Sequence, residues 1–220
     1  MAKHLILIAG NIGAGKTSLA ERLGASLGWE VAYESVDDNP YLSDFYESMR
    51  TWSFHLQIFF LGHRAQQHQI LASMDHSAII DRSIYEDAHI FARALHELGN
   101  MAERDYDAYR RLYQLVVGKL PRPDLLIYIK TSVQTLRAHI QRRGRVIEEG
   151  IADDYLALLG RYYDEWMAAF DLCPVLTVPG DNLDFVRFPE HLGIISERVL
   201  AKLAGKELVT FPTPEEMHAS

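Results

Sequence analysis

Residues 10–17 read Gly-Asn-Ile-Gly-Ala-Gly-Lys-Thr, a complete G-x-x-x-x-G-K-[ST] pattern, directly behind the apolar run Leu5, Ile6, Leu7, Ile8 and Ala9. The context constrains the fold more than the string does. A buried parallel strand feeds such a loop, and a helix leaves it. Residues 16–23 supply the helix, with Leu19, Leu23 and Leu27 at four-residue spacing. Gly10, Gly13 and Gly15 free the backbone to turn N–H groups inward around phosphate oxygens, with the helix N-terminus behind them. Lys16 is expected to reach β- and γ-phosphates, and the Thr17 hydroxyl to ligate Mg²⁺. The pattern predicts a nucleoside triphosphate ligand.

Apolar runs and amphipathic segments then alternate, the pattern of a parallel sheet wrapped by helices in an α/β fold. Strands are expected at 5–9, 29–33, 77–80, 125–129 and 175–178, five in all, and the second, third and fourth helices at 50–73, 85–98 and 105–120. Further helices are expected at 132–142, 153–170 and 189–203, with Pro121 and Pro123 closing the helix before the fourth strand. Residues 37–40, Asp-Asp-Asn-Pro, read as a turn or helix entry. The 220 residues, 48% of them apolar, suit one domain over 1–204, followed by a polar, proline-containing tail at 205–220.

Ligands of open α/β sheets sit beyond the carboxyl ends of the strands. Three such ends carry chemistry here: the glycine-rich loop, Glu34 after the second strand, and Asp81-Arg82 after the third. Asp81 is either a carboxylate on the metal side of a phosphate site or a helix N-cap. Glu34 could act as general base toward an attacking hydroxyl, with Arg82 holding it in place. Arg137, Arg142, Arg143 and Arg145, with His139 and Gly144, form the one dense cationic segment of a chain whose net charge is −8. That segment reads as a solvated helix end or as a lid whose guanidinium groups close over a transferring phosphoryl group.

The set GNIGAGKT, then Tyr33-Glu34-Ser35-Val36-Asp37-Asp38-Asn39-Pro40, Trp52 to Gln57, the DRSIYED stretch at 81–87 and the RGR at 143–145 occurs in this order. It resembles the deoxyribonucleoside kinase family, in its bacterial deoxyadenosine/deoxyguanosine kinase branch, over residues 2–184. The resemblance implies a P-loop kinase with a five-stranded parallel sheet flanked by helices and an arginine-rich lid. It implies transfer of the ATP γ-phosphoryl group to a deoxynucleoside 5′-hydroxyl, with Mg²⁺ on Thr17 and Asp81. The implied ATP contacts run through Gly10, Asn11, Ile12, Gly13, Ala14, Gly15, Lys16, Thr17 and Ser18, with His139, Asp184 and Phe185 toward the adenine. His139 stands where the family commonly has arginine. Glu34 is implied as the catalytic base, with Arg82, Lys16, Arg143 and Arg145 as its catalytic partners.

The same resemblance gives Tyr46 and Glu148 (or Glu149) to the sugar 3′-hydroxyl, Gln57, Arg64 and Asp87 to the base edge, and Phe91 to stacking on the base. Helical spacing puts Gln57 and Arg64 on one face, and makes Asp87 and Phe91 neighbours. Arg64 with Asp87 could equally be a structural ion pair, and Phe91 plain core. The order of preference expected is deoxyadenosine, then deoxyguanosine or deoxycytidine, then thymidine. A nucleoside monophosphate kinase of the thymidylate kinase type is the nearest rival, and a nucleotide-binding subunit without turnover the other. The first wants a cation after the second strand, where this chain has Glu34, Asp37 and Asp38. The acidic balance argues against a nucleic-acid partner, and no apolar stretch approaches the ~20 residues of a membrane span. One cysteine, Cys173, fits a reducing compartment, so a cytoplasmic location is expected, and the resemblance adds a homodimer.

Overall fold

The computed structural model describes residues 3–33, 39–145, 150–185 and 188–205. The elements run β1 (Leu5–Gly10), α1 (Lys16–Leu27), β2 (Glu30–Ala32), α2 (Leu42–Glu47), α3 (Met49–Ser73), β3 (Ala78–Asp81) and α4 (Ile84–Glu86). A π-helical turn (Asp87–Ala92) and α5 (Arg93–Glu97) continue α4, followed by α6 (Glu103–Val117), β4 (Leu125–Lys130), α7 (Val133–Arg143), α8 (Asp153–Ala169), β5 (Val175–Pro179) and α9 (Pro189–Leu203). The five strands form one all-parallel sheet in the order β2-β3-β1-β4-β5.

Alternate side chains of a strand point to opposite faces. Leu5, Leu7 and Ala9 therefore join Ile80, Leu126 and Tyr128 in a core closed by α3, the α4–α5 segment, α6 and α8. Ile6 and Ile8 join Ile79, Ile127 and Ile129 on the other face, under Leu19 and Leu23 of α1, Ile140 of α7 and Val199 of α9. A smaller cluster of Phe45, Leu56, Phe60, Leu95 and Met101 fastens α2 and α3 to the α5 end. Being covered on both faces explains why β1, β3 and β4 read as unbroken apolar runs.

Three differences from the sequence reading have local causes. The helix expected over 85–98 is broken into α4, the π turn and α5, so its hydrogen-bond register shifts at Asp87. The helix before β4 ends at Val117 rather than 120, because Lys119 and Leu120 donate to Val116 and Val117 in tighter i→i+3 turns. Helix α2 was not anticipated. It is six residues long and has no side-chain cap, and the burial of Phe45 is what secures it.

Helix α1 lies so close to β2 that a Cβ on Gly24 would fall 2.3 Å from Val31 Cγ2 and 3.1 Å from the Trp29 carbonyl. Overpacking of this kind costs about 1–3 kcal/mol, against about 1 kcal/mol gained in helix propensity. Gly24→Ala is expected to lower the midpoint of thermal unfolding by several degrees. A raised midpoint would show that α1 and β2 have room to separate.

Candidate active site

The glycine-rich loop wraps the N-terminus of α1 with Gly13 and Gly15 in left-handed backbone, φ 82° and 91°. A side chain on Gly13 would also meet Ile140 Cγ1 at 2.9 Å, so α7 presses directly on the loop. Lys16 is buried and donates to the Gly10 and Asn11 carbonyls at 2.7 and 3.0 Å. The Thr17 hydroxyl donates to Asp81 Oδ2 at 2.5 Å, which joins the loop to the end of β3. Asp81 Oδ1 is buried and has no hydrogen-bond partner among the described residues. An open carboxylate oxygen beside a hydroxyl is a donor set that suits a small hard cation such as Mg²⁺.

A cavity of about 1010 Å³ is lined by this loop together with Asp81, Arg82, His139, Arg142, Arg143, Arg145 and residues 180–185. Ile12, Gly13, Ala14, Gly15, Lys16, Thr17 and Ser18 all line it, while Gly10 and Asn11 do not. Arg143 and Arg145 are exposed at its rim, where α7 ends on left-handed Gly144. Arg137 does not join them: it pairs with Asp153 and donates to the Ile151 carbonyl, bracing α7 against the start of α8. His139 Nδ1 donates to the Gly13 carbonyl at 2.9 Å, so the ring is tied to the loop as well as facing the cavity. Phe185 is buried in the core under α1, its ring 3.9 Å from where a Gly15 Cβ would stand, and the Asp184 N–H donates to His191 Nδ1.

Arg82 is the only non-glycine residue with positive φ, 68°, among the described residues. A left-handed arginine costs of order 1–3 kcal/mol unless its surroundings enforce it. They do so here. Its N–H donates to Ile8 in the sheet, its carbonyl accepts from Arg64 Nη1 at 3.2 Å, and its guanidinium lies 4.4 Å over the Phe91 ring. Arg64, reaching across from α3, pairs with Asp87 on the π turn, with both side chains almost completely buried, and its guanidinium stands 5.1 Å over Phe60. Gln57 is buried two turns earlier on α3, and its Oε1 has no hydrogen-bond partner among the described residues. Native structures rarely leave such an atom unpaired, and a ligand is a standard reason for one.

Arg64, Arg82, Asp87 and Phe91 are thus in direct contact. Tyr46 is exposed on α2, near enough to Tyr155 of α8 to act on its hydroxyl electrostatically. Burial pushes the Tyr155 hydroxyl up to about 12, with Arg82 opposing. No motif pointed to Tyr155, whose spacing on α8 reads as ordinary core. Glu34, Asp37, Asp38, Glu148 and Glu149 lie outside the described residues. Sequence reasoning also passed over Glu86 and Tyr163, both fully buried and bonded to Gly10. A second cavity of about 790 Å³, between the π turn, α6 and α8, holds none of the candidate residues.

The chain is similar to known proteins over most of its length. The chain is 36% identical to a deoxyadenosine/deoxycytidine kinase of Bacillus subtilis over 197 residues, covering 89% of this chain and 91% of that protein. It is 38% identical to a deoxyguanosine kinase of Lactobacillus johnsonii over 216 residues, covering 94% and 95%. A solved deoxyadenosine kinase from M. mycoides with bound dATP superposes with a TM-score of 0.79 at 29% identity, covering 89% of this chain and 99% of that one. The family model described as Deoxynucleoside kinase matches residues 6–204, from within β1 to the end of α9, and the chain belongs to the deoxynucleoside kinase family.

Proposed function

We propose that this deoxynucleoside kinase prefers deoxyadenosine, with deoxyguanosine or deoxycytidine behind it and thymidine poorly used. The buried pairing of Arg64 with Asp87, with Gln57 buried two turns before Arg64 on α3, is the observation that carries the reading. An ionised carboxylate only accepts hydrogen bonds, so Asp87 suits the exocyclic amino group of adenine or cytosine and repels the thymine carbonyl. Arg64 keeps Asp87 ionised and can donate to a ring nitrogen or to the guanine carbonyl. The relatives' names, which include deoxyadenosine-, deoxycytidine- and deoxyguanosine-directed enzymes, support this set of substrates.

In this reading the donor ATP lies in the cavity between the glycine-rich loop and α7, with its adenine toward His139, Asp184 and Phe185. Thr17 and Asp81 would hold Mg²⁺, which when bound would supply positive charge to the phosphates. Lys16 and the lid arginines Arg143 and Arg145 meet the charge that develops on the transferring group. Glu34 takes the proton from the 5′-hydroxyl, Arg82 orients it, and Tyr46 with Glu148 or Glu149 holds the 3′-hydroxyl. Among the described residues no helix is long and apolar enough to cross a membrane. A cytoplasmic homodimer that does not bind nucleic acid completes the proposal, and residues 205–220 are read as a tail outside the kinase domain. The family match favours this kinase over a nucleoside monophosphate kinase and over a non-catalytic subunit.

Phosphorylation rates across the four deoxynucleosides test the base order. Thymidine is expected to fall roughly ten- to two-hundred-fold below deoxyadenosine in kcat/KM, the range that one mismatched polar pair or pocket group commands. Equal use of both would remove Arg64 and Asp87 from base reading.

A further inference from the structure

In a parallel strand the N–H and C=O of one residue point to the same neighbour, and residues two apart share that direction. The Ile8 carbonyl points toward β3 and takes the Arg82 N–H at 3.1 Å. Gly10, two residues on, turns its N–H and C=O the same way, but the β1–β3 register ends at the Ile8–Asp81 pair. A buried backbone donor and acceptor must find other partners. Glu86 Oε1 accepts the Gly10 N–H at 3.2 Å. The Gly10 carbonyl has the Tyr163 hydroxyl at 2.8 Å and Lys16 Nζ at 2.7 Å.

Glu86 has an ordinary structural reason to be near: with Ser83 it forms a capping box, its Oε2 accepting the Ser83 N–H at 2.8 Å. The box uses only that oxygen. The other leaves it for Gly10 and for the Tyr163 hydroxyl at 2.7 Å. Glu86 and Tyr163 are both fully buried, and the Tyr163 ring is stacked on Tyr128 of β4 with centroids 5.7 Å apart. Burial and the neighbouring Glu86 hold the hydroxyl in its protonated form.

A phenol has one proton, and here two acceptors lie within reach of it. While Lys16 donates to the Gly10 carbonyl, that proton is best placed on Glu86. When Lys16 turns to the β- and γ-phosphates, the Gly10 carbonyl loses a donor inside the core. The geometry points to Tyr163 and Glu86 as positioning residues for ATP binding: the Tyr163 hydroxyl turns from Glu86 to the Gly10 carbonyl as Lys16 leaves it, and Glu86 retains the Gly10 N–H. Glu86 then ties the loop around the donor to Ser83, the residue after Arg82, through one carboxylate. The inference rests on the phosphate-binding reading of residues 10–17.

Calorimetric titration of wild type and Tyr163→Phe with Mg·ATP and with AMP separates this role from a plain packing role. Wild-type affinity for ATP tests the phosphate-binding reading by itself. In Tyr163→Phe, ATP should bind about tenfold more weakly, because one buried carbonyl is left without a donor in the bound state. AMP, which has neither β- nor γ-phosphate to draw Lys16 away, should bind as it does to wild type, and the deoxynucleoside KM should stay within twofold. Equal losses for ATP and AMP would reduce Tyr163 to loop packing, and no loss for either would overturn the inference. Should Tyr163→Phe fail to fold, Glu86→Gln tests the other half of the inference: its amide can accept on the Gly10 side or the Ser83 side but not both, so ATP and AMP should both bind more weakly, and no loss for either would overturn the inference.

Discussion

Glu34→Gln is expected to lower turnover by roughly 10²–10⁴-fold while ATP affinity stays near that of wild type, the range that general-base catalysis contributes. The amide is close in shape to the carboxylate but cannot take the proton of the 5′-hydroxyl. In sequence Glu34 comes two residues after Ala32, the last residue of β2, and Ala32 is paired with Ile80 of β3, the residue before Asp81. The loss should appear in kcat and kcat/KM alike, because a proton transferred only in the transition state contributes nothing to ground-state binding. Steady-state kinetics with deoxyadenosine, alongside a direct measurement of ATP binding, check it. Turnover within a few-fold of wild type would take Glu34 out of the reaction and leave the acceptor hydroxyl to be oriented by Arg82 alone.

What was legible in the sequence was what is local. The loop at 10–17 announces itself because glycine, lysine and threonine are each needed at fixed offsets along a few residues of backbone. The strands announce themselves because both faces of the sheet are covered, which forces apolar runs. Their order, β2-β3-β1-β4-β5, did not follow, since runs of leucine and isoleucine carry no label for the neighbour they pair with. The π turn at Asp87–Ala92 was invisible for a related reason: its residues suit an α-helix equally well. Long-range polar bonds were the least legible. Tyr163 reaches Glu86 across 77 residues, and Asn11 reaches the Leu156 carbonyl across 145, so α8 anchors the phosphate loop without any motif of its own. The buried pairing of Arg64 with Asp87 could be posed from the sequence only as two alternatives, base reading or structure.

Those alternatives separate in the stability of variants. Arg64→Met leaves the Asp87 carboxylate almost completely buried with its cationic partner gone. Removing one partner of a buried pair costs about 3–5 kcal/mol. For a chain of this size each kcal/mol moves the unfolding midpoint by about 2–4 °C, so the variant should melt roughly 6–20 °C lower. Replacing the whole pair, Arg64→Met with Asp87→Leu, removes both charges and should restore most of that loss, since well-packed apolar replacements are often neutral or stabilising. The double variant is therefore the informative protein. It should be folded, but with no carboxylate facing the base and no donor from Arg64 to the strained Arg82 backbone. If the pair reads the base, the ratio of deoxyadenosine to thymidine kcat/KM should collapse to within a few-fold of unity in the double variant. A stable double variant that still discriminates as wild type does would assign Arg64 and Asp87 to structure. A single Arg64→Met variant that melts within two degrees of wild type would show that Asp87 finds another partner or a proton once the guanidinium is gone.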